Sequence, residues 1–155
     1  APHPPADAAN ANMLEASNLA GKAINITQTT AGHAMCYKLT SLYGIAHGHA
    51  AALCDAVLMP YMLANPQQCI DPRGSAHLRT VFEKLAAAMG CDTPQEMIAK
   101  FQGIVSKLEL SAPQIHSAAD IDVLKTSVNP VRLKNHPVGL SVDVIEDLYR
   151  QILKV

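Results

Sequence analysis

Histidines are concentrated in one short stretch, residues 31–54, which reads AGHAMCYKLTSLYGIAHGHAAALC. It contains three of the chain's seven histidines: His33, His47 and His49. Neutral imidazole nitrogens suit iron(II), zinc and nickel alike, so two of these histidines could hold a divalent metal. Tyr37 follows His33 by four residues and would lie one helical turn along on the same face. The stretch therefore combines candidate metal ligands with a hydroxyl donor.

The separation between His33 and His47 limits how they could share a metal. In one unbroken helix their Cα atoms would be about 21 Å apart, whereas two imidazole arms on one metal span at most about 12 Å. If they share a metal, the helix must therefore break between them, and Gly44 and Gly48 are the candidate breakers. Two unrelated helix-end histidines would fit the same spacing, so spacing alone does not decide the question.

Helical periodicity dominates the chain that must position these residues. Aromatic residues make up only 4% of the sequence, and the alternating β-branched runs that are typical of strands are few. The 155 residues, 49% of them apolar, can bury one sizeable core. The predicted fold is all-α, a single multi-helix, bundle-like domain over residues 1–155.

The individual helices are predicted from apolar spacing and capping residues. Their ranges are 7–27, 33–42, 47–64 with a bend at Pro60, 76–89, 94–108, 118–127 and a last helix from 142. The first is predicted to have one buried face, because its apolar residues recur at spacings of three and four: Met13, Ala16, Leu19, Ala20, Ala23 and Ile24. Ser75, Thr93 and Ser141 are the predicted N-caps of later helices. The proline-rich stretch 128–140 is predicted to be a loop.

Charge and cysteine usage exclude several classes of partner. A net charge of −1 with 16% charged residues provides no basic face for nucleic acid and no polybasic segment for a membrane surface. The most apolar stretch is interrupted by Asp55 and Pro60 and is too short for a membrane span. The four cysteines form no CxxC pair and follow no secretory leader, so we expect reduced thiols and a cytoplasmic protein.

Three longer stretches carry a resemblance to a known family. ANMLEASNLAGKAI, AGHAMCYKLTSLYGIAHGHAAAL and the proline of VLMPYML resemble the C-terminal helical domain of the iron-containing, group III alcohol dehydrogenases. The tail NPVRLKNHPVGLSVDVIEDLYRQIL is similar to the closing loop and helix of that family. Within the family, YKLTSLYGI and NPVRLKN are most similar to the phosphonoacetaldehyde reductase-like branch.

The resemblance implies a dehydroquinate synthase-like α domain whose two metal-binding histidines fall on His33 and His47. The family's other two ligands, an aspartate and a histidine, would lie before Ala1. No GGGS-like loop occurs in the chain, so the N-terminal nucleotide-binding domain is expected to be absent from these residues. The implied function is an oxidoreductase acting on a small aldehyde or alcohol, with iron or zinc and with NAD(P)H bound mainly by the missing domain. We expect no dehydrogenase activity from this domain alone, and a homodimer is left open.

The residues around the implied metal ligands receive more specific predictions. Most family members have a histidine at the position of Tyr37, which is predicted here to donate a hydrogen bond to the substrate oxygen or a bound water and to help protonate the alkoxide. Lys38 and His49 are predicted substrate contacts, and Lys38 together with VRLKN suggests an aldehyde carrying an anionic group. Arg132 and Lys134 are weaker candidates for anion binding. Cys36 is explained as a small apolar residue, and the remaining histidines carry no pattern: His3, His77, His116 and His136.

Two alternative functions remain open. A dehydroquinate synthase-like lyase also uses paired histidines around a metal, but its motif normally keeps a histidine at the position of Tyr37 and an acidic residue soon after HG, where His49 lies here. A stand-alone helical binding module would be favoured if this chain acted without a nucleotide-binding domain. A di-iron bundle is excluded because no Glu-x-x-His occurs.

Overall fold

The described part of the chain is built from helices. The structure, a computed structural model, describes the backbone of residues 6–155 and the side chains from Asp7 onward, so His3 lies outside it. The helices are α1 (Ala6–Ile26), α2 (Ala31–Tyr43), α3 (His47–Ala64), α4 (Gly74–Ala88), α5 (Pro94–Lys107), α6 (Asp120–Ser127), α7 (Pro130–Leu133) and α8 (Val142–Leu153), with a 3₁₀ turn at Pro66–Gln68. No strand occurs among residues 6–155, which confirms the all-α prediction.

The main core forms where α2 and α3 pack against each other and against α5, α6 and α8. Its largest fully buried side chains include Met35, Leu39, Leu58, Leu124, Leu148 and Tyr149. The Tyr149 hydroxyl donates a 2.9 Å hydrogen bond to the carbonyl oxygen of Met35, which joins α8 directly to the backbone of α2. Because a buried hydroxyl needs a partner, this bond fixes how far α2 can slide along α8.

A second tie joins the end of α2 to the start of α6. The buried Asp120 carboxylate accepts hydrogen bonds from the Tyr43 hydroxyl at 2.9 Å, the His116 backbone N–H at 2.8 Å and the Ser117 hydroxyl at 3.0 Å. The His116 N–H is the main reason that the pKa of Asp120 lies below its ordinary value. The carboxylate therefore satisfies three donors and anchors the C-terminal turn of α2.

A smaller core lies between α4 and α5. Its buried side chains are Leu78, Phe82, Ala86, Met97, Ile98 and Val138. The predicted caps of α5 and α8 are confirmed: Thr93 Oγ1 accepts the Glu96 N–H at 3.2 Å, and Ser141 Oγ accepts the Val144 N–H at 3.3 Å. No helix among residues 6–155 is both long and apolar enough to cross a membrane.

Two predictions about helix boundaries were wrong. Ser75 does not cap α4, because that helix already begins at Gly74, and the Asp71 carboxylate accepts the Arg73 N–H one turn earlier. The stretch 128–140 is not all loop, because it contains the short helix α7. Asn129 caps this helix by accepting the Val131 N–H at 2.9 Å, and proline at the first helical position loses no hydrogen bond.

The buried face predicted for α1 is not buried in this structure. The side chains of Met13, Leu19 and Ile24 are 70%, 56% and 55% exposed. A spacing of three and four shows that a helix is amphipathic, but it does not supply the element that covers the apolar face. Among the described residues, no other helix packs closely on α1.

Gly32 allows a close approach between α2 and α3 and generates the first prediction. A Cβ built on Gly32 would lie 2.1 Å from Oδ1 of Asp55. We expect Gly32→Ala to lower the free energy of unfolding by about 1–3 kcal/mol, as overpacking does. Gly103→Ala in α5 is the control, because nothing lies within 4 Å of the corresponding Cβ. That change should stabilise by about 0.5–1 kcal/mol through helix propensity.

Urea unfolding of the two alanine variants measures this difference. Adding Asp55→Ala to Gly32→Ala should recover part of the lost stability, because it removes the clashing carboxylate. If Gly32→Ala were as stable as Gly103→Ala, the close packing of Asp55 on α2 would be contradicted.

The buried imidazole of His136 generates a prediction about pH. Its side chain is 2% exposed, and neither ring nitrogen has a hydrogen-bond partner within the described part of the chain. Burial lowers the pKa of His136 from 6.5 to about 4. The unfolded chain therefore binds a proton between these two values that the folded chain does not, so His136 reduces stability as the pH falls below about 6.5.

We expect His136→Gln to lose less stability than the wild type when the pH falls from 7 to 5. Asp55 acts in the opposite direction, because burial raises its pKa to about 6, so the wild-type curve alone is not diagnostic. His77→Gln, on the surface of α4, controls for removing an imidazole elsewhere. Equal slopes of thermal midpoint against pH for His136→Gln and the wild type would show that His136 is not held neutral.

Candidate metal and substrate site

The turn between α2 and α3 brings His33 and His47 together. His33 lies in the first turn of α2, and His47 is the first residue of α3. Between these helices Gly44 adopts a left-handed conformation with φ of 68°, which suits glycine because it has no Cβ. The ring centroids of the two histidines are 5.2 Å apart, and the rings are inclined at 64°. The predicted break in the helix is confirmed. Because of this break, the rings of His33 and His47 are in contact although the two residues are far apart in the sequence.

The ring geometry fits a shared metal ion. A tetrahedral metal about 2.1 Å from one nitrogen of each ring would place the two ring centres about 5 Å apart. The pKa of His33 is lowered, first by burial and then by the positive charges of His47 and Arg132. A lowered pKa favours the neutral imidazole, which is the form that binds metals.

The two histidines do not complete a metal site by themselves. Among the described residues, no group of three His, Cys, Asp or Glu side chains is placed to hold a metal ion. A tetrahedral site needs further protein ligands or solvent. The assignment of His33 and His47 as ligands therefore stays a prediction that depends on groups outside the described residues.

Tyr37 lies next to the histidine pair and carries a partner of its own. Its ring centroid is 5.2 Å from that of His47, and its side chain is 46% exposed. The Arg132 guanidinium lies over the Tyr37 ring, with Cζ 4.9 Å from the centroid, and Nη1 donates to the Tyr37 hydroxyl oxygen at 3.4 Å. Because this bond uses only the oxygen of the hydroxyl, its proton remains available for donation to another group.

Cys36 packs beneath the histidines as a buried thiol. Its Sγ donates to the His33 carbonyl oxygen at 3.3 Å. The distances from Sγ to the two ring nitrogens of His47 are 3.7 and 3.8 Å, so the sulfur contacts the ring without preferring either nitrogen. Burial, followed by the negative charge of Asp55, raises the pKa of Cys36 to about 11. A protonated, buried thiol agrees with the interpretation of Cys36 as a small apolar residue.

Two predicted substrate contacts lie apart from this cluster. His49 Nε2 donates to the Ser111 carbonyl oxygen at 2.9 Å, so that nitrogen is engaged with the loop after α5. Lys38 follows Tyr37 by one residue and is therefore rotated by about 100° around α2. Its side chain is half-buried and forms no ion pair or side-chain hydrogen bond among the described residues. The roles of both residues in substrate binding stay predictions.

The structure separates Arg132 from Lys134, which the sequence does not distinguish. In the sequence, both are cations of one proline-rich stretch. The structure distinguishes them because α7 places Arg132 over Tyr37, whereas Lys134 lies beside Asn135 and His136 in a separate, polar cavity. No local sequence signal connects Arg132 with Tyr37, since 95 residues separate them.

Comparison with known proteins defines the class to which this chain belongs. Residues 3–152 match the family profile described as Fe-containing alcohol dehydrogenase family, C-terminal. The chain therefore belongs to the Fe-containing alcohol dehydrogenase family, as the sequence resemblance predicted. No solved structure matches it.

A particular relative narrows the comparison. The chain is 35% identical over 119 residues to a phosphonoacetaldehyde reductase from Streptomyces viridochromogenes. The aligned region covers 76% of this chain but only 29% of that protein. The chain thus spans less than a third of the length of the relative.

Incomplete coordination generates a prediction about metal binding. We expect the 155-residue domain to retain far less than one equivalent of zinc or iron after dialysis, because two histidine nitrogens leave a tetrahedral metal half-coordinated. Weak zinc binding measured before dialysis should be lost in His33→Ala and in His47→Ala but not in the surface control His77→Ala. Elemental analysis that finds one tightly held metal ion per dialysed chain would contradict this expectation.

Proposed function

We propose that this chain is the C-terminal domain of a metal-dependent, NAD(P)-linked alcohol dehydrogenase or aldehyde reductase. In this proposal it supplies two metal-ligand histidines and part of the substrate pocket. The observation that carries the proposal is the pairing of His33 with His47 at a ring distance of 5.2 Å, with the Tyr37 ring beside them, in a chain of this family. A nucleotide-binding domain outside this chain would hold most of the cofactor.

The non-protein groups would supply chemistry that the side chains lack. When bound, the divalent metal supplies Lewis-acid polarisation of the substrate carbonyl, and NAD(P)H supplies the hydride. His33 and His47 fit such a metal because both can offer a neutral nitrogen from facing helix ends. The ring types suit iron(II) and zinc equally, so the proposal includes either metal.

Tyr37 is the proton donor in the proposed mechanism. Its ring lies beside that of His47, and its hydroxyl oxygen accepts a hydrogen bond from Arg132. In the reducing direction it donates its proton to the oxygen that gains negative charge as hydride reaches the carbonyl carbon, and solvent reprotonates it. In the oxidising direction the steps are reversed: Tyr37 first gives its proton to solvent, and its oxygen then receives the proton of the alcohol.

The surrounding core holds these groups in place and keeps water from one side. Cys36, whose sulfur contacts the His47 ring, is fully buried, whereas His47, Tyr37 and Arg132 are exposed. The substrate is proposed to enter from the exposed side. The named relative reduces phosphonoacetaldehyde, which supports a small aldehyde as the substrate class for this chain as well.

A direct assay tests the proposed function. The complete enzyme, loaded with iron or zinc, should oxidise NADH or NADPH in the presence of a short aldehyde. His47→Ala should lower both the metal content and the rate together, because it removes a ligand. A rate that survives complete loss of metal would exclude metal-dependent catalysis at this site.

The role of Tyr37 can be tested separately from metal binding. In the complete enzyme, Tyr37→Phe should retain the metal and lower kcat by about tenfold or more, since general acid assistance is typically worth roughly 10²–10⁴. Tyr61→Phe is the control, because the Tyr61 hydroxyl donates to Gln68 at 2.8 Å in an exposed part of the fold. An unchanged kcat and pH profile in Tyr37→Phe would reduce Tyr37 to a packing role.

A further inference from the structure

Arg132 places a positively charged group beside the histidine pair. Its guanidinium lies 4.9 Å from the Tyr37 ring centroid, and its charge contributes to the lowered pKa of His33. The side chain is exposed and forms no ion pair with any acidic residue in the described part of the chain. A guanidinium presents several N–H donors in a planar fork, of which Tyr37 occupies one. The remaining donors can bind an anion.

No carboxylate of the described residues forms an ion pair with Arg132. Asp55, the acid whose charge acts on Cys36, lies against Gly32 between α2 and α3. Among the other described arginines, Arg79 forms no ion pair, whereas Arg73 pairs with Asp71 at 2.7 Å and Arg150 with Glu146 at 2.7 Å. Arg132 has a tyrosine ring where Arg73 and Arg150 have a carboxylate.

The segment that carries Arg132 is held in place on both sides. The backbone N–H of Arg132 donates to the Asn129 carbonyl oxygen at 3.1 Å within α7. After the helix, Asn135 Nδ2 donates to Gln28 Oε1 at 2.7 Å, and the His136 N–H donates to the Leu133 carbonyl at 3.0 Å. Since α7 also packs against α2, the backbone that carries Arg132 is in place before any ligand arrives, and the Tyr37 ring contacts its guanidinium.

We propose that Arg132 binds the anionic group of the substrate and thereby determines a preference for short aldehydes that carry a negative charge. This inference rests on the proposed function above. Tyr37 lies between the two groups that such a substrate would need: its ring contacts the Arg132 guanidinium on one side and the His47 ring on the other. Because Arg132 and His47 each lie about 5 Å from the same tyrosine ring, the anionic group and the carbonyl must be separated by only a few carbon atoms.

The test compares a charged with a neutral aldehyde in the complete, metal-loaded enzyme. Phosphonoacetaldehyde is the charged substrate, propanal is the neutral one, and methylphosphonate is the binding probe, measured by calorimetry. Arg132→Met removes the charge but keeps an unbranched side chain, and Arg132→Lys keeps the charge but loses the fork. Lys107→Met, at the C-terminal end of α5, removes a positive charge away from the site and is the control.

Arg132→Met should lower kcat/KM for phosphonoacetaldehyde by about 10- to 100-fold, mainly through KM, because it removes charge-assisted hydrogen bonds. Methylphosphonate binding should weaken by a similar factor, while kcat/KM for propanal should fall by a clearly smaller factor, because Arg132 also donates to the Tyr37 hydroxyl. Arg132→Lys should lose less than Arg132→Met, and Lys107→Met should behave as the wild type. Any binding of methylphosphonate to the metal is common to all variants and cancels in the comparison.

Other outcomes would overturn the inference. Equal losses for both aldehydes would show that Arg132 only orients Tyr37, and unchanged methylphosphonate binding in Arg132→Met would show that it binds no anion. If the wild type reduced propanal but did not prefer phosphonoacetaldehyde, the inference would fail and the proposed function would stand. If the wild type reduced neither aldehyde, the proposed function would fail, and methylphosphonate binding would still decide the role of Arg132.

Discussion

The reversal of the chain between α2 and α3 is the constraint on which the rest of the site depends. A left-handed residue at Gly44 ends α2, and α3 starts three residues later at His47. Any side chain at Gly44 would strain this conformation, because φ of 68° is favourable mainly for glycine. Without the reversal, His33 and His47 would lie about four helical turns apart. With it, their rings are in contact and Tyr37 lies beside them.

The position of α2 is then fixed by contacts that have no chemical role of their own. Tyr149 bonds to the backbone of α2 from one side, and Asp55 lies on Gly32 from another. Asp120 anchors the C-terminal turn through Tyr43. Ligand geometry at a metal must be held within a fraction of an ångström, which requires such supporting contacts. The interior of this domain therefore acts on the site through the placement of one helix.

Local signals predicted those parts of the structure that depend on local backbone chemistry. The capping box at Thr93 and the left-handed end of α2 at Gly44 are examples, because each involves residues within one or two turns. Prediction failed where a competing local interaction was present. Ser75 was the predicted N-cap of α4, but the helix begins one residue earlier, at Gly74, directly after the Asp71–Arg73 pair. Prediction also failed for the burial of α1. The regular spacing of its apolar residues shows that the helix is amphipathic, but it does not show which element covers the apolar face.

The sequence by itself determined the helical class and the family, because periodicity and a long family motif are properties of the chain order. It also predicted a break in the helix between His33 and His47 if the two share a metal, and the structure has that break. Only the tertiary structure decided that Arg132 lies over Tyr37 and that His49 faces Ser111 instead. These pairs are separated by 95 and 62 residues, so packing between helices, and not any local spacing, brings their side chains together.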